Sequence, residues 1–264
     1  MGARHDGRRA GAAPQLAVPL GSGYRPHHGI APDRVRSRHR SGRRSMKFEI
    51  QGNPDYGQVV VELQPGEKIL SESGAMSRMD PGLELHVRLM GGLLRALGRK
   101  VLGGESFFLA EYTGERGGEI AFSPALPGTV MHRRMSGDHV LLTGGCFLAC
   151  SAGVEVRTRF GGLKSLFSGE GAFLMDVSGE GDLFFNAYGA VIEREVRGSL
   201  TVDTGHVVAW EPALDYKITG MGGLKSTLFS GEGLVMNFRG EGRIWLQSRT
   251  LGQTSGWLIP YLVR

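Results

Sequence analysis

The sequence predicts an all-β fold in which one structural unit is written three times along a single chain. Three observations carry this reading. The stretch GGLKSLFSGEGAFLMDVSGEGDLFF at 161–185 returns as GGLKSTLFSGEGLVMNFRGEGRIWL at 222–246. Both copies alternate apolar and polar residues on either side of a GEG triplet. A third copy, FLAEYT, GERGG and EIAFS, occupies 108–123 with two extra residues in its glycine segment. Self-similarity at a fixed spacing marks a repeated architecture, and period-two alternation marks half-buried strands.

The elements follow in order. MKFEIQG, from Met46, reads as an opening strand. Each unit then holds a valine- or leucine-rich strand broken by a small-residue turn: LQPGEKIL with Gly66, RMSGDHVLL with Gly137, VDTGHVVAW with Gly205. A second β-like run comes next, LELHVRL at 83–89, VEVRTRF at 154–160 and LDYKITGM at 214–221. A double glycine closes it, Gly91-Gly92, Gly161-Gly162 or Gly222-Gly223.

The repeated phrase itself supplies the core. Phe108, Phe173 and Leu234, then Ala110, Met175 and Met236, then Tyr112, Val177 and Phe238 form one apolar face. Beyond the glycines, Ile120, Leu183 and Ile244, then Phe122, Phe185 and Leu246, repeat it. Each copy is therefore expected to be a β-hairpin with a glycine-supplied turn. Units of roughly 46–127, 128–192 and 193–250, followed by a C-terminal extension, suggest sandwich or barrel-like modules. One unit alone leaves a hydrophobic sheet face bare, whereas three packed about a pseudo-threefold axis cover one another.

Composition bounds the rest. The formal charge of +5 and pI near 9.4 mislead about the body, because residues 1–45 carry ten arginines against Asp6 and Asp33. That net +8 leaves −3 on residues 46–264. The Arg/Gly/Pro-rich tail has few large apolar residues and no period, so it is expected to be disordered, or to precede a true start at Met46. The body has no stripe of basic and aromatic residues, which argues against RNA. Cys146 and Cys150, four apart on a strand, stand roughly 13 Å from each other, too far for a disulfide, and are expected to be buried. No zinc-ligand spacing occurs in the sequence.

These residues also carry a resemblance spanning nearly all of 46–264. The GG…SGEG…GEG pattern, the opening MKFEIQGNPDYGQVVVELQPGE with SGAM after it, and the closing LIPYLVR resemble the bacterial domain-of-unknown-function 124 family. That family is related to the mitochondrial biogenesis protein altered inheritance of mitochondria 24. The resemblance implies three units similar to the tryptophan RNA-binding attenuator protein (TRAP-like, short double-stranded β-helix or sandwich). It implies no established enzymatic activity, and an association of the mitochondrial relatives with inner-membrane organisation. No motif carries tryptophan-binding residues over.

Candidate sites are few. GGLKS lacks the glycine that a phosphate loop requires directly before its lysine, so Lys164 and Lys225 are read as solvated residues of interaction loops. The first copy, GGLLRALGRKVLGGE, has helical spacing of Leu93, Leu94, Leu97, Val101 and Leu102 with Arg95, Arg99 and Lys100 between. It suggests a peripheral membrane or partner surface. Glu170, Glu180, Glu232 and Glu241 read as exposed turns. Glu111, Asp176 and Asn237 form a polar column that alternation assigns to the outward face and that a threefold axis would bring together. His86, His132, His139 and His206 are scattered, and no serine–histidine–acid grouping stands out. The expectation is a cytoplasmic, non-enzymatic scaffold or interaction protein without cofactor, acting through a protein partner or homo-oligomer. The alternatives are a small-molecule or metal-ion module with its ligand between β units, and third an RNA binder.

Overall fold

The computed structural model describes residues 35–36, 45–89, 108–160, 173–220 and 234–262. The candidate loop residues Gly91, Gly92, Gly161, Gly162, Lys164, Gly222, Gly223 and Lys225 lie outside the described residues, as do 1–34 and the amphipathic stretch 93–102.

Sixteen strands occur among the described residues. They are β1 (Val35–Arg36), β2 (Lys47–Gln51), β3 (Gln58–Leu63), β4 (Lys68–Glu72), β5 (Met76–Met79), β6 (Glu84–Leu89), β7 (Phe108–Thr113) and β8 (Gly118–Phe122). Then follow β9 (Gly128–Thr143), β10 (Phe147–Ser151), β11 (Val154–Phe160), β12 (Phe173–Tyr188), β13 (Val191–Asp203), β14 (Val207–Trp210), β15 (Leu214–Gly220) and β16 (Leu234–Gln247). A helix, α1 (Leu251–Leu262), ends the chain's described part. The fold is all-β, with every strand pairing antiparallel. One sheet has the order β1-β2-β3-β8-β5. The other runs β13-β16-β14-β9-β12-β10-β4-β7-β6, with β11 also on β12 and β15 also on β16. β1 falls inside the segment expected to lack order; Val35 pairs with Ile50.

The expected hairpins are not hairpins. FLMDVSGEGDLFFNAY is one continuous strand, β12, and LVMNFRGEGRIWLQ is another, β16. The first half of β12 lies between β11 and the end of β9, and its second half lies between β10 and the start of β9. The glycines therefore bend a strand rather than reverse it. Gly179 has φ +105° and an added Cβ would stand 2.5 Å from the carbonyl oxygen of Gly153; Gly240 has φ +125° and the same atom would stand 2.7 Å from that of Ala213. Only glycine accepts both the backbone and the close approach. In the first copy the bend is completed: β7 pairs with β4 and β6, whereas β8 pairs with β3 and β5 in the other sheet.

The upstream glycines also need one reassignment. Gly137 lies within β9 and Gly198 within β13, where it pairs with Gly240. Gly205, expected to match Gly137, instead sits in a 3-10 turn between β13 and β14. EVRGSLT rather than VDTGHVV is thus the counterpart of RMSGDHV.

Three of the expected apolar columns lie in the core. Met175, Met236, Tyr112, Val177, Phe238, Ile120, Leu183 and Ile244 are all buried. The second half of β12 is buried on both faces, because Phe184 packs with Phe48, Val59 and Leu148 while Leu183 and Phe185 pack with Val140, Phe147 and Met175. Each such side chain withdrawn from water contributes about 1.5–3 kcal/mol.

One strand pairing recurs three times with different outer neighbours. β5, β10 and β14 sit on β8, β12 and β16 with the same register shift, between Met76 and Arg78, Phe147 and Ala149, and Val207 and Ala209. β10 pairs onward with β4, and β14 with β9. Among the described residues no strand pairs with β5 on that side. Arg78 stands where Ala149 and Ala209 stand. Its guanidinium is exposed and pairs with Glu119 of β8, so this edge carries a charged pair where the other two carry alanine.

Candidate functional site

The polar column is the first place to look for chemistry. Glu111, on β7, is opposite Leu70 and His86. Its Oε1 accepts from Lys68 Nζ at 2.9 Å, and Oε2 faces an Arg88 guanidinium nitrogen at 2.5 Å as an ion pair off the hydrogen-bond direction. Burial pushes its carboxyl up, but the Lys68 hydrogen bond and the charges of Arg88 and Lys68 outweigh this and hold it below the usual carboxylate range. Asp176, on β12, is opposite Leu141 and Arg157, with Oδ1 3.3 Å from His139 Nδ1. Asn237, on β16, accepts from the Thr201 hydroxyl and donates to that of Thr219, both at 2.8 Å.

Alternation assigned these three residues to solvent. Glu111 and Asp176 are in fact buried, and Lys68 and Arg88 reach over Glu111 from the flanking strands. Each is engaged by its own flanking strands. The described residues contain no group of three or more His, Cys, Asp or Glu side chains able to hold a metal ion.

A second cluster was not singled out from the sequence. Asp182, on β12, has no solvent exposure, yet it is charged. Its Oδ2 accepts the Met46 backbone N–H at 2.9 Å and an Arg134 guanidinium nitrogen at 2.8 Å, while Oδ1 faces His132 Nε2 at 2.9 Å. The Ser45 hydroxyl approaches Oδ1 at 3.3 Å. Burial raises the Asp182 carboxyl, and the bonds from His132 and Met46 with the Arg134 charge outweigh it, so it stays below its ordinary value. The His132 ring lies 4.4 Å from that of Phe48 and 5.2 Å from that of Phe184, centroid to centroid. A cleft of about 440 Å³ opens beside Asp182, lined also by Lys68, Arg134, Ser151 and Glu180. Nucleophilic catalysis needs a hydroxyl against the imidazole and an acid behind it. Here the hydroxyl of Ser45 faces the acid, which is the wrong order. The sequence signal was available: an aspartate directly before the apolar run Leu183, Phe184 and Phe185.

A third cluster surrounds Trp245. The guanidinium carbons of Arg133 and Arg243 each lie 5.4 Å from its ring centroid. Arg243 donates to Glu211 at 2.7 and 2.9 Å, and Arg133 pairs with Asp138. A cleft of about 480 Å³ runs past these groups and Glu193. Burial raises the carboxyls of Asp138 and Glu211, but Arg133 and Arg243 respectively bring them below the usual range. The charges are already matched to one another, so the cluster reads as a structural brace. Glu180 and Glu241 are exposed, as expected, but inside continuous strands at their bends rather than in hairpin turns.

A family model for mitochondrial biogenesis AIM24 matches residues 48–249, from the opening strand to the end of β16. The chain belongs to the AIM24 family. An uncharacterised protein of Streptococcus pyogenes serotype M6 is 31% identical to this AIM24-family chain over 226 residues, covering 82% of it and 91% of that relative. The X-ray crystal structure of a Streptococcus pyogenes protein superposes with a TM-score of 0.71 at 30% identity, covering 82% of the AIM24-family chain and 99% of the other. No described helix is long and apolar enough to cross a membrane.

Proposed function

We propose that this AIM24-family protein is a non-enzymatic, cytoplasmic interaction scaffold of three TRAP-like β units about a pseudo-threefold axis, which associates through its open strand edges. The recurrent pairing supports the units: β7 between β4 and β6 resembles the first half of β12 between β9 and β11, and that of β16 between β13 and β15. The observation that carries the function is β13. It is thirteen residues long, pairs with β16 alone among the described residues, and exposes most of its side chains. Long edges of this kind are templates for further chains. Sedimentation velocity of the full chain across a concentration series tests the reading: a species of two or more chains is expected, and a monomer throughout counts against it.

The rival reading is a small-molecule module, favoured by the cleft beside Asp182, which lies between residues of β4, β9 and β12. Peripheral membrane contact is a lesser reading, favoured by α1, whose Trp257, Ile259, Tyr261 and Leu262 are all more than half exposed. Co-sedimentation with anionic vesicles separates it from the others.

A further inference from the structure

We infer that the outer edge of β13 is a self-pairing edge whose occupant is β13 of a second copy, antiparallel and centred on Val196. The inference rests on the association reading above and names its strand and register.

The edge is open where its counterpart is covered. β3 is flanked by β8 on one side and by β2 on the other. β13 is flanked by β16, through thirteen consecutive pairs from Val191 opposite Gln247 to Asp203 opposite Val235, and by no other strand among the described residues. Its residues Ile192 to Glu195 and Arg197 to Ser199 are exposed, with Val196 buried between them.

Charge fixes the register. An antiparallel pair of identical strands is related by a twofold axis normal to the sheet, so one residue faces its own copy and those on either side face one another. Centring on Val196 sets each Glu195 opposite an Arg197 and each Arg194 opposite a glycine, Gly198. Centring on Arg194 opposes two arginines, and also Glu193 to Glu195. Centring on Glu195 opposes two glutamates, and on Arg197 two arginines. Val196 is the centre in this run that opposes no like charges. Glu195 and Arg197 already share a face, with Arg197 Nη2 2.8 Å from a Glu195 carboxylate oxygen. The twofold therefore assembles an alternating quartet of two glutamates and two arginines. An edge guarded against pairing carries charges of one sign at such positions; here both signs occur in self-complementary order.

Strand pairing supplies backbone hydrogen bonds, and the quartet supplies specificity. The test is a charge swap read by light scattering after gel filtration, with circular dichroism as a check on folding. The Glu195 and Arg197 side chains are 60% and 75% exposed; because they lie opposite Arg243 and Glu241 of β16, the circular dichroism check is applied to each variant before its mass is read. The wild-type chain is expected to dimerise. Glu195→Arg alone, making four like charges, and Arg197→Glu alone are each expected to weaken the dimer at least about tenfold. The double variant Glu195→Arg/Arg197→Glu is expected to restore it. A dimer indifferent to both reversals overturns this edge while leaving association through another surface standing. A wild-type chain that stays monomeric up to about 100 μM overturns both.

Discussion

The Asp182 carboxylate lies 2.9 Å from His132 Nε2, and through its second oxygen it holds the Met46 N–H. One buried charge thereby ties the entry of β2 to β9 and β12. Removing one partner of such a group leaves the others uncompensated. Asp182→Ala is expected to cost about 3–5 kcal/mol in urea unfolding. Asp182→Asn, which keeps the shape and one acceptor, is expected to cost less.

The same residue sets the acid response. Asp182 and Glu111 both titrate below their ordinary values in the folded chain. Their contribution to stability is therefore fully present above the unfolded carboxylate range, about pH 4–4.5, and is lost as pH falls through the folded values. Melting temperature followed from about pH 6 downward should fall most steeply below about pH 4. The drop should be shallower in Asp182→Asn, and an unchanged slope in that variant contradicts the assignment.

The bend glycines make a paired prediction. Gly179→Ala places a Cβ 2.5 Å from the Gly153 carbonyl oxygen at φ +105°, whereas Gly66→Ala, at φ +73°, meets nothing within 4 Å. Chemical denaturation should show a loss of about 3 kcal/mol or more for the first and about 1 kcal/mol for the second.

These glycines also show where the sequence was legible. Period-two alternation identified the strands and most of the core, because side-chain direction is a local property. It did not distinguish a hairpin from a bent strand, since GEG meets the backbone needs of both and the choice depends on which distant strands each half finds. Phe184 and Asp182 alternate with the apolar columns of Leu183 and Phe185 and so were not placed in the core: a second core behind β12, built by Phe48 and Leu148, is invisible from β12 alone. Glu111 was legible as part of a polar column, but its burial depends on Lys68 and Arg88 reaching over it from β4 and β6.

The cysteines give a simple check on core packing. Cys146 and Cys150 form no disulfide and are buried, and burial pushes the Cys150 thiol up to about 12. A thiol reagent should label neither at neutral pH in the native chain and both in denaturant. Rapid native labelling of Cys150 contradicts the packing of β10 between β4 and β12.

Deletion of residues 251–264 should leave stability nearly untouched. No side chain of α1 is buried, and its hold on the strands includes the Thr254 hydroxyl 2.8 Å from that of Tyr188. The change in unfolding free energy should stay within about 1 kcal/mol. A larger loss shows that α1 covers part of the fold.

Native mass spectrometry of the chain isolated from its own cells tests the central claim most directly, because it weighs subunits, partners and ligands together. The account predicts a mass of two or more copies, alone or with a protein partner, and no retained small molecule. A monomer carrying one stoichiometric small molecule or metal ion would contradict it.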